Sequence, residues 1–246
     1  MQSLHCVWEK DRIMSKTVAI VLAAGQGKRM NSKVHKQYLL LRNKPILYYS
    51  LKAFEDSFID EIVLVVGKGE IAYCQQEIVD AFGIQKVNHI VEGGRERYHS
   101  VFEGLKCIQD ADYVFIHDGA RPFVNQEMLK RVYDSVVAHN ACVVGMPVKD
   151  TIKIADTNEF VKDTPERKLV WMVQTPQVFS YQLIMQAYTK LIDQEQALLE
   201  EGIIVTDDAM VVEHFEQIPV KLVEGSYQNI KITTPEDLVV AESFLK

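Results

Sequence analysis

Residues 18–30 read VAIVLAAGQGKRM. Val18 to Leu22 is an unbroken apolar run of strand length, the pattern of a strand buried on both faces. From Ala23 the run becomes a loop of small residues, Ala23, Ala24, Gly25 and Gly27, followed by two cations, Lys28 and Arg29. Small side chains let successive backbone N–H groups approach an anion, and the cations add charge, so the loop is expected to hold phosphate. It is not the dinucleotide fingerprint, because Met30 stands where the third glycine of GxGxxG belongs. Nor is it a Walker loop, because Gly27-Lys28 is followed by Arg29 instead of Ser or Thr. Taken alone, such a loop has a second, weaker reading as a tight strand-to-helix turn.

Outward from this strand, apolar runs alternate with segments of helical period. TVAIVL, EIVLVVG, VNHIV, YVFIH and ACVVGMPV read as strands, and PILYYSLKAFEDS, IAYCQQEIVDAFG, YHSVFEGLKCI and NQEMLKRVYDSVVAH as helices between them, with Pro45 at the start of one and Gly83 closing another. That alternation predicts a doubly wound α/β fold on a mostly parallel sheet. After Pro147 the rhythm changes to two β-rich stretches around a polar turn, which predicts a protruding β-arm over about residues 148–172. The chain then returns to helix (YQLIMQAYTKLI, TDDAMVVEHF), to strand (VKLVEG, NIKIT) and to a last helix opened by Thr234 and Pro235. Residues 15–246 are expected to form one domain. Residues 1–14 precede a second methionine, Met14, and read as an extension outside the fold.

The chain has 246 residues, 48% of them hydrophobic, enough for a sizeable core. Its 34 acidic and 27 basic residues give a net charge of -7, which argues against nucleic acid or a membrane surface as partner. An anionic ligand must then be held by a local cluster of cations. Four cysteines without CxxC spacing argue against zinc and a disulfide framework and fit a reducing, cytoplasmic setting. The sequence has no apolar run of membrane-span length, and its opening residues lack the apolar core of a signal peptide.

The small-residue loop is followed by NSKVHKQYLLLRNKPIL, and further on by EGGRERYHSVFEGL, HDGARPF, VKDTIK, TPQVF, VTDDAMVVE and GSYQNIKITTPEDL. In this order and spacing the motifs resemble the 2-C-methyl-D-erythritol 4-phosphate cytidylyltransferase family of non-mevalonate isoprenoid synthesis. The resemblance runs from Val18 to the C-terminus. It implies a Rossmann-like nucleotidyltransferase fold and attack of a polyol phosphate on the α-phosphorus of CTP, with loss of pyrophosphate. The attacking group is already an anion, so positioning and charge neutralisation by fixed cations and Mg²⁺ are the expected tools.

By resemblance, Arg29 and Lys36 stabilise the transition state. Outside that motif Lys36 would read as a solvated lysine. CTP is implied to lie against Ala23, Ala24, Gly25, Gly27 and Lys28, and its base to be read by Ala24, Gly93, Gly94 and Ser100, with Asp118 and Ala120 nearby. Asp118 ends a predicted strand, where a carboxylate can hold a hydrated Mg²⁺, directly or through water, or cap the following turn. The acceptor is implied to meet Thr151, Arg167, Thr206 and Lys231. The arm is implied to cross to a second subunit, making a homodimer in which Thr151 and Arg167 complete the neighbouring site. Arg167 taken alone reads as a solvated turn residue. Asp207 and Asp208 are expected to cap a helix, and His99 and His117 to make local hydrogen bonds.

Two positions depart from the family pattern. His35 stands before Lys36 where proline is usual, and Gly119 replaces an alanine; both are expected to loosen loop geometry and so to change substrate affinity. Ribitol 5-phosphate cytidylyltransferases share the chemistry and several motifs, so D-ribitol 5-phosphate is the alternative acceptor. A non-catalytic nucleotide-binding regulator is the alternative of another class, disfavoured by the joint presence of Arg29, Lys36, Asp118, Arg167 and Lys231.

Overall fold

The computed structural model of the protein describes residues 15–25 and 35–245. The expectation for residues 1–14, and the positions of Gly27, Lys28 and Arg29, lie outside the described residues. In chain order, β1 (Thr17–Ala23) is followed by a one-turn 3₁₀ helix (Lys36–Tyr38), the two-residue strands β2 (Leu40–Leu41) and β3 (Lys44–Pro45), α1 (Ile46–Glu55) and β4 (Glu61–Val66). Next come α2 (Ile71–Tyr73), continued as a π-helical turn over Cys74–Asp80, β5 (Val87–Glu92), α3 (Arg97–Lys106), β6 (Tyr113–Asp118), α4 (Gln126–His139) and β7 (Ala141–Pro147). The last part holds β8 (Ile154–Ala155), β9 (Val161–Asp163), β10 (Trp171–Ser180), α5 (Tyr181–Asp193), α6 (Glu195–Glu200), α7 (Asp208–Glu216), β11 (Lys221–Glu224) and α8 (Pro235–Phe244).

Seven strands form one sheet in the order β11-β7-β10-β6-β1-β4-β5. All neighbours pair in parallel except β10, which runs antiparallel between β6 and β7. The doubly wound, mostly parallel sheet expected from the alternation is therefore present. In β1 the two faces serve two cores. Ala19, Val21 and Ala23 pack with Leu47, Leu51 and Phe54 of α1 and Leu129, Val132 and Val136 of α4. Val18 and Ile20 pack with Val101 and Leu105 of α3, with Ile184 and Tyr188 of α5, and with Val212 of α7. Burial on both faces explains the unbroken apolar run, since each such side chain contributes about 1.5–3 kcal/mol.

From β1 the chain winds outward through β4 to β5, then returns to lay β6 on the other side of β1. The order reverses between β1 and β6, and in such sheets the crevice beyond the strand C-termini at the reversal is the ligand site. Leu22 pairs with Asp118 across that gap, so the loop after β1 and the turn after β6 leave the sheet side by side.

Four local expectations need correction. NIKIT is not a strand; it is an irregular segment pinned where the Ile232 N–H donates to the Ala120 carbonyl at 2.9 Å and Ile232 is buried with Leu41, Ile46 and Ala241. The segment expected as one helix to Gly83 has only its first turn in α-geometry before it widens to π. Pro45 ends β3 as the residue before α1 and is not a helical residue itself. The predicted arm divides: β8 and β9 make a short exposed hairpin, whereas the chain from Trp171 enters the main sheet as β10.

Candidate active site

At the β1/β6 reversal lies a cleft of about 670 Å³ whose wall includes Ala23, Ala24, Gly25, Lys36, Gly94, Arg97, Ser100, Asp118, Ala120 and Lys231. Its size is that of a small-molecule site. Asp118, buried at the C-terminal end of β6, organises the floor. Its carboxylate meets Lys231 Nζ at 2.8 Å, Arg97 Nε at 3.6 Å and Arg121 Nε at 3.7 Å. Burial alone would raise the pKa of Asp118, but these three cations outweigh it and hold the carboxyl well below the usual range. Arg97 spends its two terminal nitrogens on Asp208, at 2.7 and 2.8 Å, and Asp208, fully buried, also accepts from the Tyr188 hydroxyl. Burial disfavours the Arg97 cation, yet Asp208 more than restores it. Lys36, Arg97, Arg121 and Lys231 thus outnumber the carboxylates of Asp118 and Asp208. A chain of net charge -7 has concentrated cations where an anion would enter.

Beneath this floor, the Asp118 backbone N–H donates to Thr175 Oγ1 at 3.1 Å, which leaves the threonine proton for His117 Nδ1 at 3.1 Å. His117 Nε2 then carries the ring proton and donates to the Arg121 carbonyl at 3.1 Å; this tautomer follows from the partners. Burial pushes the His117 pKa down to about 4, so the ring stays neutral. Arg121 in turn donates from Nη1 to the Asn229 carbonyl, two residues before Lys231. The turn after β6 and the segment bearing Lys231 are therefore tied to each other through fixed polar groups.

On the opposite wall, the Gly94 N–H donates to Ser100 Oγ at 3.1 Å, and the Gly93 N–H donates to the Val66 carbonyl. A Cβ on Gly93 would stand 2.5 Å from Ala24 Cβ and 2.6 Å from Ser100 Oγ, so only glycine lets the loop after β5 approach the loop after β1. Gly119 also sits near β1. Its N–H donates to the Leu22 carbonyl at 2.8 Å, and a Cβ there would lie 2.9 Å from Leu47 Cδ1. Gly119 therefore lies close against β1. At His35 the φ of -60° is close to the value proline would impose, and the Nδ1 atom lies 2.6 Å from Glu70 Oε1, an ion-pair distance without hydrogen-bond geometry.

For a divalent cation the cleft offers Asp118, and among the described residues no group of three His, Cys, Asp or Glu side chains converges on a metal position. This donor set fits a Mg²⁺ that arrives on a triphosphate and keeps phosphate and water oxygens around it, with one carboxylate on the protein side.

The model of the 2-C-methyl-D-erythritol 4-phosphate cytidylyltransferase family matches residues 17–246. This chain belongs to that family. Among its relatives, the 2-C-methyl-D-erythritol 4-phosphate cytidylyltransferases of Lachnoclostridium phytofermentans and Lachnospira eligens are 51% and 52% identical to it. The matches cover 95% and 93% of this chain and 97% and 98% of theirs. Among solved structures, the 4-diphosphocytidyl-2C-methyl-D-erythritol synthase of Anaerococcus prevotii superposes with a TM-score of 0.80 at 33% identity, over 94% of this chain and 98% of that one. The 2-C-methyl-D-erythritol 4-phosphate cytidylyltransferase of Thermus thermophilus gives 0.72 at 28% identity, over 92% and 97%.

In this member of the cytidylyltransferase family, the residues expected around CTP and lying within the described segments gather at the cleft, with Gly93 just behind its wall. Lys231, expected on the acceptor side, joins them through Asp118. Thr151, Arg167 and Thr206 are exposed and do not line this cleft. Arg167 Nη1 donates to the Lys149 carbonyl, and Thr206 Oγ1 lies 3.6 Å from Met210 Sδ. Asp207 does cap α7, accepting from the Met210 N–H, whereas Asp208 is the buried partner of Arg97. His99 makes the expected local contacts, accepting at Nδ1 from the Glu96 N–H. Arg97, Arg121 and Thr175 lie inside EGGRERYHSVFEGL, HDGARPF and TPQVF but were not expected in the site; for Arg121 the available signal was a charge four residues past a predicted strand end.

Proposed function

We propose that this cleft transfers the cytidylyl group of CTP to 2-C-methyl-D-erythritol 4-phosphate, giving 4-diphosphocytidyl-2-C-methyl-D-erythritol and pyrophosphate. A phosphate oxygen of the acceptor forms a bond to the α-phosphorus as the bond to the bridging oxygen breaks, and pyrophosphate leaves with that electron pair. No proton need move, because the nucleophile is already ionised. Lys36, with Arg29 from the loop after β1, neutralises charge gathering on the α-phosphoryl oxygens in the transition state. The backbone around Ala24 and Gly94 and the Ser100 hydroxyl read the cytosine edge, and Ala23, Gly25, Gly27, Lys28 and Ala120 enclose the rest of CTP. Lys231, held at 2.8 Å from Asp118, receives the acceptor phosphate. A Mg²⁺ carried in on CTP and held by Asp118 would shield the triphosphate charge.

The observation that carries this reading is that Lys36 lines the same cleft as Asp118 and its partners Arg97 and Lys231, at the switch point of the sheet. Residues 15–246 act as one domain, in the cytoplasm, as a homodimer whose arm brings Thr151 and Arg167 to the partner's acceptor site with Thr206. In support, among the described residues no helix is long and apolar enough to cross a membrane, and the arm carries exposed apolar side chains. The test is pyrophosphate release with CTP and Mg²⁺, comparing 2-C-methyl-D-erythritol 4-phosphate with D-ribitol 5-phosphate. Preference for the first is expected. Preference for the second would keep the chemistry and overturn the acceptor, and no release with either would overturn the reaction.

A further inference from the structure

The turn that carries Lys36 is gripped from two sides. On one side buried Gln37 donates from Nε2 to the Ala23 carbonyl, fixing the turn to the end of β1. On the other side stands Glu70, the residue before α2. Its Oε2 accepts from the Tyr38 hydroxyl at 2.7 Å and from the Gly67 N–H at 3.0 Å, and its Oε1 lies 2.6 Å from His35 Nδ1. The Tyr38 oxygen also meets Cys74 Sγ at 3.0 Å. Burial pushes the Cys74 thiol up to about 11, so it stays protonated and can donate there while Tyr38 donates to Glu70. Gln37 and Tyr38, which follow Lys36, are thus hydrogen-bonded in place, and the Glu70 carboxylate that holds Tyr38 also stands at ion-pair distance from His35, which precedes it.

We infer that Glu70 is a positioning residue for cytidylyl transfer: by holding His35 and Tyr38 it fixes the turn that presents Lys36 to the cleft. The inference rests on the reading of Lys36 as a transition-state cation. Glu70 acts through the residues on either side of Lys36. Its effect is to limit the positions available to the Lys36 backbone, and errors of about 1 Å at such a group can cost about 10²-fold in rate. Proline at position 35 offers another way to the same restraint, because the observed φ of -60° is the one its ring enforces. None of the described hydrogen bonds uses the His35 N–H that proline would remove.

The experiment compares Glu70→Gln alone with Glu70→Gln combined with His35→Pro. Glutamine keeps an acceptor for Tyr38 and Gly67 but removes the carboxylate charge beside His35 Nδ1. Glu70→Gln is expected to lower kcat about tenfold while KM for CTP stays within about twofold, the signature of a group acting at the transition state. In the combined variant kcat should return to within about twofold of His35→Pro alone, since the ring supplies the restraint. A role for Glu70 confined to holding Gly67 and α2 would not be rescued by a change at residue 35. An unchanged kcat in Glu70→Gln, or an equal deficit in both backgrounds, overturns the inference. Should Glu70→Gln fail to fold in a thermal melt, His35→Ala against His35→Pro decides. Alanine should lose kcat and proline should keep it, and equal rates overturn the proposal. Lys36→Ala run alongside separates the two levels. Full activity there refutes the reading of Lys36 and this inference with it, whereas an inactive Lys36→Ala with a fully active Glu70→Gln refutes the inference alone.

Discussion

The floor of the cleft and the β-arm were both expected to supply functional residues, yet they are built in opposite ways. Around Asp118 the polar groups are buried or half-buried and closely partnered: three cations on one carboxylate, a backbone N–H on Thr175, and His117 between Thr175 and Arg121. In the arm, β8 and β9 pair over only a few residues, and Phe160, Val161 and Leu169 are 71%, 61% and 71% exposed. The exposed Arg167 side chain donates to the Lys149 backbone carbonyl. The floor is determined by its own chain, whereas the arm has apolar surface that its own chain leaves uncovered. Chemistry that needs fixed charge belongs on the first kind of surface, and the second is suited to docking.

The largest effect should come from Lys36→Ala. It should leave thermal unfolding unchanged and lower turnover about 10³-fold, or about 4 kcal/mol of transition-state stabilisation, if the cation acts where charge develops. Turnover within tenfold of the parent would break the assignment of catalysis to the cleft. Asp118→Asn comes next. The neutral side chain leaves Arg97, Arg121 and Lys231 facing one another, which should cost about 2–3 kcal/mol in denaturant unfolding, below the value for a fully buried pair because two of the partners are about a third exposed. A loss under about 0.5 kcal/mol would show that the floor is less rigidly determined than its contacts imply.

Acid titration sharpens the contrast further. His117 is fully buried with its pKa lowered from 6.5 to about 4, chiefly by burial. Between those values the unfolded chain binds a proton that the folded chain refuses, so this contribution to stability is complete above about pH 6.5 and declines as pH falls toward 4. From pH 7 to pH 5 it amounts to about 2 kcal/mol. Asp118 acts in the same direction at lower pH. Its depressed pKa gives stability that is present above the unfolded carboxylate range and lost as pH falls through the folded value. Urea midpoints of the parent should therefore fall from pH 7 to pH 5 more steeply than those of His117→Asn, and parallel slopes would show that the ring is not held neutral.

Much of this division was legible in the sequence, for physical reasons. A strand buried on both faces must read as an unbroken apolar run, so β1, β4 and β6 declared themselves, and with them the strand ends where a site must lie. The helices on either side showed a 3.6 period because each has one buried face. Tertiary partners were hidden. Asp208 looks like a second helix cap beside Asp207, and only the packing of α3 against α5 and α7 reveals that it neutralises Arg97 from 111 residues away. NIKIT alternates like a strand, but its apolar residues face a small core beside α8, with no sheet neighbour to pair with. The π-turn at Cys74–Asp80 was equally invisible, since it keeps the same apolar residues facing inward as an α-helix would.

The smallest expected effect concerns the arm. Phe160→Ser alters a side chain that makes little contact within its own chain, so the unfolding free energy of an isolated protomer should change by no more than about 0.5 kcal/mol. A two-stranded hairpin with so short a ladder is marginal alone. If the arm packs on a second copy, the same substitution should shift the sedimentation-derived mass toward the monomer at low micromolar protein, and Phe160→Leu should shift it much less. A loss above about 1.5 kcal/mol in a protomer already shown to be monomeric would mean that Phe160 is packed within its own chain, and the contrast between floor and arm would fail. Unchanged mass and unchanged stability together would leave the exposed phenylalanine without a partner, and would remove the main support for completing the acceptor site across a dimer.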